Sequence, residues 1–193
     1  DSMIELGAKK LVFSSTCATY GNSQNVPISE SEIQNPINPY GKSKMYIEGI
    51  LKDYYHAYNF SSIIFRYFNA AGCDKYKRTG ENHNPETHLI PLILQECLRI
   101  KNGGLPKETS LQVFGDDYET KDGSCIRDYI HVNDLCNAHL IGAKRLYEND
   151  PCYEAYNLSS GQGYSVFEVI DMCKKITGID IKFIISDRRE GDP

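Results

Sequence analysis

The sequence predicts an α/β fold built around a parallel sheet. Short apolar, β-branched runs alternate with helix-period segments along the whole chain, and the linkers between them are short. The first apolar run ends in three hydroxyl residues, as a buried parallel strand does where it opens into a site. The composition agrees: of 193 residues, 40% are hydrophobic and 24% charged, which excludes disordered and collagen-like classes.

The elements follow in order. Ser2 to Leu6 reads as the tail of a helix closed by Gly7. Leu11-Val12-Phe13-Ser14-Ser15-Thr16 is the first strand, and it delivers Ser14, Ser15 and Thr16 to its carboxyl end. Residues 21–39 hold Gly21, Asn22, Pro27, Asn35, Pro36, Asn38 and Pro39, which is turn chemistry. From Tyr40 to Tyr58, apolar positions recur at helical spacing (Tyr40, Ile47, Ile50, Leu51, Tyr54, Tyr55, Tyr58). Ser62 to Phe68 is β-branched and aromatic, a second buried strand. Residues 69–87 are polar and form a long loop, a length that usually marks function. A helix over 88–101, a strand over 111–115, a charged loop over 116–124, a strand over 126–132 and a helix over 133–148 come next. A strand over 153–159, a helix over 165–177 opened by the capping-box pair Ser165 and Glu168, and a strand over 181–185 complete the chain.

Charge and cysteine usage narrow the function classes. Lys plus Arg number 21 against 26 Asp plus Glu, a net charge of −5 with no basic run, so nucleic acid is not an expected partner. No apolar run approaches the roughly 18–20 residues of a membrane helix, so no membrane partner is expected. The seven cysteines (Cys17, Cys73, Cys97, Cys125, Cys136, Cys152, Cys173) are odd in number and lack C-x-x-C spacing, which predicts reduced, mostly buried thiols and a cytoplasmic setting. The five histidines are scattered, none four residues from another, and no metal site is expected. A chain that opens inside a helix without Met and closes at Gly191-Asp192-Pro193 is expected to be a piece of a longer protein.

Tyr40-Gly41-Lys42-Ser43-Lys44 is the most informative stretch. Tyr40 and Lys44 lie four apart at a helix start, so they share one face. A free phenol, with pKa about 10, is a poor base at neutral pH. An ammonium beside it favours the phenolate, and a Tyr so placed can accept and return an alcohol proton, the half of hydride transfer that a nicotinamide cannot perform alone. The same spacing also fits a plain amphipathic surface pair. What separates the two readings is Thr16, a hydroxyl from a strand end that converges on the same edge of the sheet, where ligands bind.

Five ordered motifs then carry a resemblance. Residues 11–21, with Ser14-Ser15-Thr16, residues 39–44, with Tyr40 and Lys44, and residues 66–72, with Arg66-Tyr67-Phe68-Asn69, resemble the extended short-chain dehydrogenase/reductase family acting on nucleotide sugars. Residues 122–132 and 188–192 are similar to those of its UDP-glucose 4-epimerase branch. The resemblance implies the C-terminal part of a Rossmann-type doubly wound parallel sheet plus most of a smaller α/β substrate lobe. It divides the chain into residues 1–75, part of the NAD-binding domain with the Tyr/Lys helix, and 76–193, mainly the UDP-sugar lobe with returning Rossmann elements. It implies interconversion of UDP-galactose and UDP-glucose at carbon 4 through a transient 4-keto sugar, with NAD held tightly, and a homodimer formed through the helix from Tyr40 to Tyr58.

Residue by residue, the resemblance makes Tyr40 the acid/base, with Lys44 holding the nicotinamide ribose and lowering the Tyr40 pKa, and Thr16 bonding the reacting oxygen. Ser14, Thr16, Tyr40, Lys44, Tyr67 and Phe68 are the implied NAD contacts. The implied UDP-sugar contacts, with Thr16 and Tyr40, are Asn69, His88, Leu89, Gln112, Phe114, Arg127, Tyr129, Val166, Arg189 and Asp192. Arg127 and Arg189 can fork onto diphosphate oxygens, Asp192 can accept from a ribose hydroxyl and Phe114 can pack on uracil. Each has a structural alternative: Arg127 paired with Asp128, Phe114 in a core, His88 as a helix cap, Asn69 opening a turn.

The sequence also departs from the pattern. Thr16 stands where many relatives carry Ser, which keeps the hydroxyl. A 4,6-dehydratase of the same family needs Asp and Glu after that Thr, and here Cys17 and Ala18 stand there. No G-x-x-G-x-x-G loop occurs in the 193 residues, so the chain alone is expected to bind NAD weakly or not at all. Two other functions remain open: another UDP-sugar 4-epimerase, for UDP-N-acetylglucosamine, UDP-xylose or UDP-glucuronate, and a catalytically inactive nucleotide-binding fragment.

Overall fold

The structure is a computed structural model that describes residues 1–105, 111–148 and 151–189. Its elements are α1 (Ser2–Glu5), β1 (Lys10–Thr16), a 3-10 turn (Cys17–Thr19), α2 (Pro39–Tyr58), β2 (Ser61–Tyr67), β3 (Asn69–Ala71) and α3 (Leu89–Lys101). After these come β4 (Gln112–Phe114), β5 (Ile126–His131), α4 (Val132–Glu148), β6 (Tyr153–Leu158), β7 (Gly163–Ser165), α5 (Val166–Thr177) and β8 (Ile184–Ser186). The chain is α/β with parallel strands, as the sequence predicts. Its described residues divide into two compact units, the first within residues 1–70 and 129–161, the second within residues 71–128 and 162–189. No helix among the described residues is long and apolar enough to cross a membrane.

The first unit is a three-stranded sheet in the order β1-β2-β6, parallel throughout, with Thr16 opposite Tyr67 and Tyr67 opposite Leu158. Six of the seven residues of the central strand β2 are buried, which accounts for its unbroken apolar and β-branched sequence. Its side chains split by the strand's period of two. Ile63 and Phe65 pack with Leu146, Ala138 and Cys152 on the α4 side, whereas Ile64 packs with Leu51 and Phe60 on the α2 side. Gly142 lets α4 approach the sheet, since a Cβ there would stand 2.9 Å from the ring of Phe65.

Between α2 and the sheet lies a buried polar network. Arg66 donates through Nη2 to Glu48 Oε2 at 2.6 Å and through Nη1 to the Tyr20 hydroxyl at 2.9 Å. Tyr20 in turn donates to Asn157 Oδ1 at 2.7 Å, and Glu48 also accepts from Ser15 and from Gln34. Glu48 is 1% exposed and Arg66 6%, so the pair is a fully buried ion pair whose remaining valences are met by hydrogen bonds.

The second unit packs α3 against α5 over a core of Ile93, Cys97, Leu111, Val113, Ile170 and Ile181. Strands β4 and β8 pair in parallel, and β7 pairs antiparallel with the start of β5. Helix α5 opens with the expected capping box: Ser165 Oγ accepts from the Glu168 N–H at 3.0 Å and Glu168 Oε2 accepts from the Ser165 N–H at 2.9 Å. Glu96, on the buried stripe of α3, is neutralised by Arg99 at 2.6 Å.

Two expectations are corrected. The short strand β3 falls in the stretch read as loop and β7 in residues given no element, because three-residue strands carry no measurable periodicity, and the last strand is Ile184–Ser186 rather than 181–185. All seven cysteines are free thiols, but only Cys97, Cys125 and Cys152 are buried, while Cys73 and Cys136 are exposed.

Candidate active site

The first unit gathers the predicted acid/base group at the carboxyl ends of β1 and β2. Asn38 starts α2: its side chain accepts from the Gly41 N–H at 2.8 Å, and Pro39 occupies the first turn, where its missing donor costs nothing. Gly41 then sits against the turn that follows β1, and a Cβ there would lie 2.4 Å from the Ala18 carbonyl oxygen. That close approach brings Tyr40 to the end of β1.

Thr16 is buried and caps the 3-10 turn, its Oγ1 accepting from the Ala18 N–H at 3.2 Å. Its hydroxyl is thereby left to donate to the phenol of Tyr40. Tyr40 is 54% exposed. Burial is the largest influence on this phenol and raises its pKa above the ordinary value; the Thr16 hydrogen bond pulls it back, and neighbouring Tyr67 and Cys17 push it further up.

The Lys44 ammonium stands 5.7 Å from the centroid of the Tyr40 ring and donates to the Ser14 carbonyl at 2.9 Å. The spacing of four places the two side chains on one face, but the strand-end carbonyl claims a proton of the ammonium. Ser14 is held from the other side: its Oγ and His139 Nε2 are 3.0 Å apart, and His139 Nδ1 lies 2.8 Å from the Leu135 carbonyl. An Nδ1–H donated to that carbonyl leaves Nε2 to accept from the serine. An open, largely apolar depression of about 480 Å³ adjoins these groups, lined by Ser14, Tyr67, Leu135, Cys136, His139 and Leu140. Phe68 is half-buried, its N–H bonded to the Leu158 carbonyl; Asn69 is exposed in β3, and the Tyr129 carbonyl accepts from Ser160 at 3.1 Å.

The residues carried to the UDP moiety fall mostly in the second unit. Phe114 is half-buried at the end of β4, and the Arg189 guanidinium lies 3.9 Å from its ring centroid, stacked where uracil packing is expected. Gln112 is exposed on the same strand. Val166 opens α5 with its N–H on the Cys125 carbonyl, and Arg127 Nη1 donates to the Ile126 carbonyl at 3.1 Å. His88 is the residue before α3 but makes no side-chain cap; its ring turns to Glu86 instead, and Leu89, the first residue of α3, packs on the core. Asp192 lies outside the described residues.

Sequence reasoning missed Glu48, Arg66 and His139. A carboxylate on the buried stripe of α2 and an arginine inside an apolar strand were the readable signals for the first two. His139 carried none, since its partners are fixed only by tertiary packing.

Over 191 residues the chain is 48% identical to the UDP-glucose 4-epimerase of Halalkalibacterium halodurans, a match that covers 99% of this chain and 55% of that protein. The crystal structure of UDP-glucose 4-epimerase from Brucella ovis in complex with NAD matches with a TM-score of 0.89 at 43% identity, covering 100% of this chain and 57% of that one. The enzyme from Bifidobacterium longum in complex with NAD+ and UDP matches with a TM-score of 0.88 at 36% identity, covering 98% and 55%. The chain thus spans about half the length of the curated relatives it matches. Since residues 1–159 also match the NAD dependent epimerase/dehydratase family, the chain belongs to that family.

Proposed function

We propose that this chain carries the proton-transfer half of a UDP-galactose/UDP-glucose 4-epimerase. The observation that carries the reading is the hydrogen-bonded pair of Thr16 and Tyr40 at the sheet end, on the helix that also bears Lys44. The Tyr40 oxygen takes the proton of the sugar 4-hydroxyl and later returns one to the 4-keto sugar. Thr16 donates to the same oxygens and favours the phenolate. Bound NAD supplies the acceptor and donor of hydride at carbon 4.

The donor set fits the nicotinamide end of that cofactor. Lys44 commits one of its three protons to Ser14, so the ammonium is fixed in place with donors left for a ribose hydroxyl. Ser14 and Tyr67 line the adjoining depression. The two compact units support a division of labour, with NAD held by the first and UDP by the second through Phe114, Arg127, Arg189, Gln112, Val166, His88 and Leu89. The homodimer through α2 rests on an apolar face that includes Tyr46, 62% exposed, and Ile50, 54% exposed.

The test is an NMR assay of UDP-galactose conversion with added NAD, on this chain and on the full product of its gene, with UDP-N-acetylgalactosamine alongside. Conversion of UDP-galactose that is lost in Tyr40→Phe supports the reading, and the second sugar sets specificity. UDP binding without turnover by either protein overturns it in favour of a nucleotide-binding fragment.

A further inference from the structure

The stretch before α3 carries a side-chain cluster that proton transfer at Tyr40 does not use. His83, Glu86 and His88 each bring one ligating atom into a group in which no two such atoms are more than 4.8 Å apart. Glu86 is the centre: its Oε1 is 3.0 Å from His88 Nδ1 and 3.6 Å from His83 Nδ1. The two imidazole rings lie 5.1 Å apart between centroids.

The carboxylate is held in place. The N–H groups of Thr87 and His88 both donate to Oε1 at 2.8 Å, and the Glu86 side chain is 6% exposed. The imidazoles are 48% and 60% exposed, so they can be reached from solvent and can turn by small torsions. Ligand atoms 2.0–2.1 Å from a tetrahedral zinc ion lie about 3.3 Å from one another, and the two observed separations bracket that value. Two imidazole nitrogens and one carboxylate, with a fourth position left open, are the donor set of an open zinc site; an oxygen-seeking ion such as Mg²⁺ or Ca²⁺ would find one ligand of its kind. A cation just ahead of a helix meets the unfavourable end of the macrodipole, which the Glu86 charge offsets.

We propose that His83, Glu86 and His88 form a three-ligand site for a borderline divalent transition-metal ion such as Zn²⁺, its fourth position open to water. The site departs from the sequence expectation of no metal, and the reason is spacing: H-x-x-E-x-H matches no helix face, and it is the turn of the chain that gathers the ligands. It shares His88 with the UDP contacts proposed above, but its test reads metal binding alone and does not depend on that function.

The test is titration of the chain with Co²⁺ alone, followed by displacement with Zn²⁺. One equivalent of Co²⁺ is expected to give visible d–d absorption without a thiolate-to-cobalt charge-transfer band. His83→Ala and Glu86→Gln are each expected to weaken binding by about 10-fold or more, while Cys73→Ser leaves it unchanged. The amide oxygen of the glutamine variant can still accept the two backbone N–H groups, so it separates the metal from the turn. A charge-transfer band lost in Cys73→Ser, unchanged affinity in both ligand variants, or no binding overturns the proposal.

Discussion

Lys44 donates from Nζ to the backbone carbonyl of Ser14 across 2.9 Å, tying the first turns of α2 to the end of β1. The bond fixes the ammonium 5.7 Å from the centroid of the Tyr40 ring. Lys44→Ala is therefore expected to lower turnover about as much as loss of the acid/base itself, 10²- to 10⁴-fold on the order of a positioned proton-transfer group. Tyr40→Phe should show the same loss with an unchanged urea midpoint, because its hydroxyl is not part of the core. Near-normal activity in Tyr40→Phe would remove the assignment.

Thr16 is the group that pulls the Tyr40 pKa down against burial. Thr16→Val removes that hydrogen bond, so the phenolate is reached only at higher pH. The rising limb of the pH profile of kcat/KM is expected to move upward, and turnover at neutral pH to fall by about 10²- to 10³-fold, the scale of one lost donor to a reacting oxygen. Thr16→Ser keeps the hydroxyl and should hold both. Equal profiles for the valine and serine variants would deny Thr16 this role.

Gly41 is required by space rather than by turn geometry. A Cβ would meet the Ala18 carbonyl oxygen at 2.4 Å, and backbone on that side cannot give way as a flexible side chain can. Gly41→Ala is expected to destabilise the chain by roughly 1–3 kcal/mol, the usual cost of overpacking, and to cut activity by displacing Tyr40. Urea unfolding checks the first and turnover the second; a stability within error of wild type would show that α2 shifts freely.

These positions also show how far the sequence was legible. Strands and helices longer than about five residues announce themselves through burial period, as β2 does with its two-sided core and α5 with Ser165 and Glu168. The Tyr40, Lys44 and Thr16 constellation was readable because spacing alone places two of the three on one helix face. What Lys44 bonds, and what Arg189 covers on Phe114, depend on which distant segments meet, and no local pattern encodes that. The buried Glu48 and Arg66 pair lay in plain view as charges at apolar positions, but only the fold shows them facing each other.

That pair supplies the next expectation. Arg66 is held protonated by Glu48 and Tyr20 against the opposing effect of burial, its pKa raised above the ordinary arginine value. Glu48→Gln leaves a buried guanidinium without its counter-charge and is expected to cost about 3–5 kcal/mol in urea unfolding. A double variant, Glu48→Leu with Arg66→Met, removes both charges and should recover part of that loss. If the single variant costs less than the double, the pair is not the unit that orders α2 on the sheet.

Alkaline pH tests the same core from another side. Burial raises the pKa of Tyr20 and of Tyr153, and a hydrogen bond with Glu154 is the largest cause of the rise for Tyr156. In each case the folded chain holds its phenol proton more tightly than the unfolded chain, whose tyrosines titrate near 10. The stability this contributes is fully present below about pH 10 and is lost as pH rises through the folded values, because the unfolded chain then binds fewer protons. Urea midpoints are therefore expected to fall steeply above pH 10, and Tyr20→Phe and Tyr153→Phe should each flatten that fall relative to their own values at pH 8. A slope unchanged by both substitutions would mean that these buried phenols do not set the alkaline limit.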